Sequence, residues 1–215
     1  MQQGSRTIIF DMDGVLIDSE PMQLAAYNDV LGSYSVQLSE KEFMHWCVGR
    51  RSYDIAAFLR EYFKLSESVE QLLAAKNTAY ASILRDNICP MPGLLPLLDH
   101  LTSSAYRLAV ASSSSIADIE EILAGLRVRE HFQIIVSGEE VSNGKPAPDI
   151  FLEAAHRLAV PPDECVVIED SQKGVEAAVQ AGMYCIAVPN RFTAAQDFSR
   201  AHMLVPDLLT VSTLL

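Results

Sequence analysis

The sequence predicts an α/β fold, a doubly wound parallel sheet core of the Rossmann type interrupted by an inserted all-helical domain. Three observations carry this. Short apolar runs alternate with helical patterns through the second half of the chain, the rhythm of a parallel sheet with crossover helices. One further strand-like run stands alone near the start. Between that run and the alternating region lies a block of helical patterning without a strand.

The lone first strand is expected at residues 7–10, a β-branched and aromatic stretch that ends at Asp11. After it, Ser19 is placed to cap a helix whose first turn carries Glu20 and Pro21, with Leu24, Tyr27 and Leu31 recurring at helical spacing. Helical patterning continues through residues 55–62 and 69–84. The segment from Cys89 to Gly93 holds two prolines and a glycine and reads as a linker. Beyond it, strands are expected at residues 108–111, 134–136, 166–168 and 185–188, and helices at 116–123, 149–158 and 174–181. The expected division is a core of residues 1–17 and 91–215 around a helical domain of residues 18–90.

Bulk properties narrow the function classes. Hydrophobic residues make up 49% and charged residues 20% of the 215 positions, the balance of a globular protein with a sizeable core. Sixteen basic against 28 acidic side chains give a net charge of −12, which disfavours nucleic acid and anionic membranes as partners. A small anionic substrate stays open, because a bound cation and a few basic side chains invert the field locally. Cys47, Cys89, Cys165 and Cys185 are scattered and read as buried reduced thiols. The five histidines are dispersed and form no zinc motif. No long apolar leader or bilayer-length stretch occurs, so a cytoplasmic protein is expected, with a monomer as the default.

Four local patterns carry chemistry. Asp11-Met12-Asp13-Gly14 closes the first strand, and residues two apart there face one side. A polar turn is one explanation. A calcium loop is not, since Val15 and Met22 occupy positions that need oxygen ligands. Glu169 and Asp170 close an apolar strand, with Ser171 placed to cap the next helix. Adjacent carboxylates raise each other's pKa unless a cation neutralises them. A simple exposed strand end is the alternative. With Asp11 and Asp13, they could converge at the carboxyl edge of the sheet, where such folds place ligands. Hard oxygen donors without nearby histidine or thiolate point to Mg²⁺. The serine run from Ser112, with Ser113 beside it, leads from a strand to a helix and can cradle an anion. Lys145, between Gly144 and Pro146, is either a solvated charge or an anion partner.

Taken together, DxDGxxxDS (Asp11 to Ser19), the strand ending at Ser112, GKPAPD (Gly144 to Asp149) and IEDSxxGxxAA (Ile168 to Ala178) resemble the haloacid dehalogenase superfamily in identity and order across essentially the whole chain. The helical insertion resembles the cap of the subgroup with β-phosphoglucomutase and sugar-phosphate phosphatases. The resemblance implies a Mg²⁺-dependent phosphatase for a small phosphomonoester, with a β-phosphoglucomutase-like phosphomutase as the alternative. It implies Asp11 as a nucleophile forming an aspartyl-phosphate, Asp13 as general acid and base, and Ser112 and Lys145 neutralising the phosphoryl group. Mg²⁺ would be held by the Asp11 carboxylate, the Asp13 carbonyl and Asp170, with Glu169 a direct or indirect partner. True dehalogenases of the superfamily lack the acid at the position of Asp13, which discounts carbon–halogen chemistry. A non-catalytic relative would be expected to have lost Asp11, Asp13, Lys145 or Asp170, and all are present.

For substrate recognition the resemblance points to Ser113, Arg50, Arg51, Lys76 and Gln23. A cationic surface turn explains the arginines nearly as well, and a solvated helix lysine explains Lys76 equally well. Related phosphoglucomutases carry a histidine at the position of Gln23, which cannot titrate near neutral pH. That favours water over a sugar as final acceptor.

Overall fold

A computed structural model describes residues 6–48, 50 and 52–215. The chain forms two compact units, one made of Met1–Asp18 and Cys89–Leu215, the other of Ser19–Ile88.

The first unit is built on a six-stranded sheet. Strand β1 is Thr7–Phe10, β2 Arg107–Ser112, β3 Ile134–Ser137, β4 Cys165–Glu169, β5 Tyr184–Ala187 and β6 Met203–Leu204. All neighbours pair in parallel, in the order β3-β2-β1-β4-β5-β6. β1 therefore lies between β2 and β4, at the point where strand order reverses and ligand crevices open in such sheets. Register brings the strand ends level. Phe10 pairs with Val110 and Ile168, so Asp11 emerges beside Ala111 and Glu169, and its N–H donates to the Ile168 carbonyl at 3.0 Å. The strands are apolar on both faces, as expected where helices cover both.

Helices of this unit are α5 (Leu94–Ser103), α6 (Ile116–Leu126), α7 (Asp149–Leu158), α8 (Gln172–Gln180) and α9 (Leu208–Leu214), after the helical unit's α1 (Glu20–Gly32), α2 (Glu40–Trp46), α3 (Ser52–Phe63) and α4 (Val69–Asn87). α7 buries Ile150, Phe151, Ala154, Ala155 and Leu158 against the sheet, and α8 buries Val175, Ala177 and Ala178 in the same core. The two segments that leave and re-enter this unit pair with each other. Ile17 bridges Pro90, and the Met91 N–H donates to the Leu16 carbonyl.

In the helical unit, α1 packs on α4 and α3 packs on α4. The buried positions on α4, Leu72, Lys76, Tyr80 and Leu84, recur every four residues and form one stripe. Capping boxes at Ser39–Glu42 and Ser68–Gln71 begin α2 and α4 by satisfying otherwise orphaned N–H groups. No helix among the described residues is long and apolar enough to cross a membrane.

Several local expectations change. Ser19 does not cap α1. It is already in the right-handed helical region and its buried side chain makes no capping bond. The buried face of α1 runs through Met22, Ala26, Tyr27 and Leu31, leaving Leu24 half-buried. Cys47, Cys165 and Cys185 are buried free thiols, but Cys89 is exposed where the chain crosses between units. The short edge strand β6 and the helices α2, α5 and α9 were not expected from the pattern.

Candidate active site

The carboxyl ends of β1, β2 and β4 bring Asp11, Asp13, Ser112, Glu169 and Asp170 to one edge of the sheet, and the loop before α7 carries Lys145 to the same place. Lys145 ties Asp11 to Glu169. Its side chain is 8% exposed, and its ammonium donates to Asp11 Oδ1 at 2.5 Å, to Glu169 Oε1 at 2.7 Å and to the Ala111 carbonyl at 3.4 Å. It also lies 4.8 Å from the centre of the Phe151 ring, which walls the site from the core side. Burial works against the ammonium's charge, but Asp11 and Glu169 outweigh it and push its pKa up. Lys145 is a fixed cation at any working pH. The solvated-charge reading therefore does not apply.

Asp11 is pushed above the ordinary carboxylate range. Burial is the largest cause; Lys145 opposes it, while Glu169 and Asp13 add repulsion, and its pKa rises from 3.8 to about 7. Three carboxylates, of Asp11, Glu169 and Asp170, present oxygens within 4.8 Å of one another, all buried. One lysine does not balance that charge. A buried ion pair contributes little net stability, because desolvation offsets the attraction. Its presence here is better explained by chemistry.

Glu169 is fully enclosed. Its Oε1 takes Lys145, while Oε2 accepts from the N–H of Asp170 at 2.9 Å, the N–H of Ser171 at 2.8 Å and the Ser171 hydroxyl at 2.9 Å. The Ser171 hydroxyl in turn accepts from the Gly174 N–H, which starts α8 as the sequence pattern predicts. A β-carbon on Gly174 would overlap the Glu169 carboxylate, so the motif's glycine is there to let that carboxylate in. Gly14 serves a second close approach. It has φ of +76°, and a β-carbon there would collide with Asp170 and Asn190.

Asp13 is half-buried and faces hydroxyls. Its Oδ2 accepts from Ser114 Oγ at 2.9 Å, with Ser112 Oγ at 3.5 Å. The Ser114 N–H donates to Ser112 Oγ, and the Ser137 hydroxyl holds the Ser114 carbonyl. Ser113 is exposed on the same loop. Ser114 was not singled out from the sequence, although it lies within the serine run. Asn190, whose amide donates to Asp170 Oδ2 at 2.7 Å, had no motif to mark it.

The remaining predicted residues belong to the helical unit. Gln23 is half-buried on α1. Arg50 is exposed, its guanidinium 5.7 Å from the Phe58 ring. Lys76 is 4% exposed, its ammonium 4.7 Å from the Tyr80 ring and 5.5 Å from the Tyr27 ring, which rules out a freely solvated lysine. Arg51 lies outside the described residues.

The donor set fits a hard divalent cation. The oxygens of Asp11 and Asp170 converge without sulfur or imidazole, and net negative charge there exceeds what Lys145 supplies. A thiol nucleophile is disfavoured, since burial pushes Cys47 and Cys165 up to about 12 and about 11.

Residues 8–188 match the family model described as haloacid dehalogenase-like hydrolase. The chain is 37% identical to fructose-1-phosphate phosphatase YqaB of Escherichia coli, over 84% of this chain and 95% of that one. It superposes on CbbY from Rhodobacter sphaeroides in complex with phosphate with a TM-score of 0.86 and 26% identity, covering 96% of each chain. On β-phosphoglucomutase from Clostridium difficile the TM-score is 0.78 with 25% identity, covering 96% and 92%.

Two outcomes follow from this geometry. Gly174→Ala should cost about 2 kcal/mol or more in urea unfolding through overpacking against Glu169; an unchanged midpoint would show that Glu169 can move aside. The second concerns charge. The folded pKa of Asp11 lies above its unfolded value, so its contribution is fully present below pH 3.8 and lost as pH rises through about 7. In EDTA, wild type should therefore lose stability relative to Asp11→Asn across that window, and Mg²⁺ should reverse the loss. A stability difference that stays flat with pH would contradict the assigned burial of charge.

Proposed function

The chain belongs to the haloacid dehalogenase-like hydrolase family, and we propose that it is a Mg²⁺-dependent phosphatase acting on a small phosphomonoester, a sugar phosphate in the first instance. The observation that carries this is the buried Asp11 carboxylate, held on one oxygen by Lys145 with the half-buried Asp13 two residues on. The similar Escherichia coli protein, a fructose-1-phosphate phosphatase, supports the substrate class.

In this reading an Asp11 oxygen attacks phosphorus in line. A bond forms from Asp11 to phosphorus as the ester P–O bond breaks, and Asp13 donates its proton to the departing alkoxide. Water then attacks the aspartyl-phosphate, Asp13 takes a proton from it, and the Asp11 carboxylate and inorganic phosphate are released. Lys145 and the Ser112 hydroxyl stabilise the phosphoryl oxygens as charge shifts between them. Asp11 and Asp170 are the side chains that would hold Mg²⁺, joined in the family reading by the Asp13 carbonyl, while Glu169 fixes Lys145. When bound, the cation supplies positive charge next to Asp11 and the phosphoryl group. The Ser114 hydroxyl keeps Asp13 turned toward the serine loop. Substrate selection is assigned to Ser113 and to Gln23, Arg50, Arg51 and Lys76 of the helical unit.

The mutase reading has one observation in its favour, the likeness to a β-phosphoglucomutase structure. Product analysis separates the two: β-glucose 1-phosphate should release inorganic phosphate, whereas appearance of glucose 6-phosphate at a faster rate would select the mutase.

Hydrolysis of p-nitrophenyl phosphate should need Mg²⁺ and fall to background in Asp11→Asn. Asp13→Ala should lower kcat by about 10²- to 10⁴-fold, the usual worth of a positioned proton donor. Cation-independent turnover, or a fully active Asp11→Asn enzyme, would sink the proposal.

A further inference from the structure

We propose that Asn190 is a positioning residue for the cation site, fixing the Asp170 carboxylate through a side-chain amide whose orientation the fold leaves no choice about. Asn190 follows β5, on the loop that returns to the sheet edge. Its Oδ1 accepts from the N–H groups of Phe192 at 2.8 Å and Thr193 at 3.3 Å. Its own N–H donates to Thr193 Oγ1 at 3.0 Å, and its carbonyl accepts from Thr193 and Ala194. Thr193 is itself 2% exposed. With Oδ1 occupied by two N–H donors, Nδ2 must face the other way, onto Asp170 Oδ2 at 2.7 Å. The flipped amide would set a carbonyl oxygen against a carboxylate and leave those N–H groups without their acceptor.

The amide does more than close a turn. Asp170 is 4% exposed and has Asp11 and Glu169 as like-charged neighbours. Repulsion would swing its carboxylate away, and a neutral donor opposes that without cancelling the charge a cation needs. Gly14 closes the arrangement from the other side, because the Asp170–Asn190 pair packs where its β-carbon would be. Losing a donor behind a metal ligand typically costs about 10- to 100-fold in metal affinity.

The inference rests on the proposed cation site, and the test separates the two. Titration of the full chain with Mg²⁺ alone, by calorimetry, reads binding without turnover. Asn190→Ser keeps a short oxygen acceptor for the turn and removes the amide nitrogen that reaches Asp170. Its Mg²⁺ dissociation constant should rise about tenfold or more, while KM for p-nitrophenyl phosphate at saturating Mg²⁺ stays within about twofold. Asn190→Asp covers the case in which the serine variant does not fold. It keeps both turn bonds and presents an oxygen to Asp170, so its melting temperature in EDTA should drop and the rise on adding Mg²⁺ should exceed that of wild type. Wild-type Mg²⁺ affinity in the serine variant, or a wild-type Mg²⁺ response in the aspartate variant, overturns the role of Asn190 alone. Absence of Mg²⁺ binding by the wild type overturns the cation site and this role with it.

Discussion

Lys145 is lodged between Asp11 and Glu169 in a place where a lysine has few reasons to be. Its ammonium has left water, and two carboxylates compensate for that loss. Much of the surrounding structure serves to keep those three groups in register. The Glu169 carboxylate is saturated by its own loop, so one oxygen can be spent on Lys145. Gly174 leaves room for it, and Phe151 shields the ammonium from the core side. Removing any one of the three charges strands the others in a region of low dielectric.

The sheet makes this triangle possible. A parallel strand flanked on both sides brings neighbouring carboxyl ends to the same level, and β1 sits between β2 and β4. Asp11, the serine loop and the Glu169–Asp170 pair thus meet although more than 150 positions separate the first from the last. The excess of carboxylates over lysine creates the attraction for a cation. The same excess raises Asp11 toward neutrality in its absence. The proposed nucleophile and the proposed cation site are one electrostatic unit.

Most of that unit was legible in the sequence, because its parts are local patterns, the acidic ones at strand ends and GKP in the loop before a helix. DxDG, GKP and the paired acids after an apolar run announce themselves through turn residues and charge against a hydrophobic background. Asn190 did not. It stands in a loop with an ordinary turn-forming composition, and only the tertiary fold aims its amide at Asp170. Ser114 was hidden among equivalent serines, where Ser112 drew the attention. β6 was invisible for a different reason: a two-residue edge strand with an exposed Leu204 has no alternation to detect. Ser19 misled in the opposite sense, since its sequence position is that of a cap while its backbone is already helical.

The central claim is that phosphorus becomes bonded to Asp11 during turnover, and trapping that bond tests it most directly. Wild-type protein mixed with a small phosphomonoester and Mg²⁺, quenched in acid within one turnover and digested, should yield a phosphoryl adduct on the peptide carrying Asp11. The adduct should disappear on further ageing before the quench, as water replaces it. Phosphate released in the first turnover with Asp11 never labelled, or with the label on another side chain, would contradict the account.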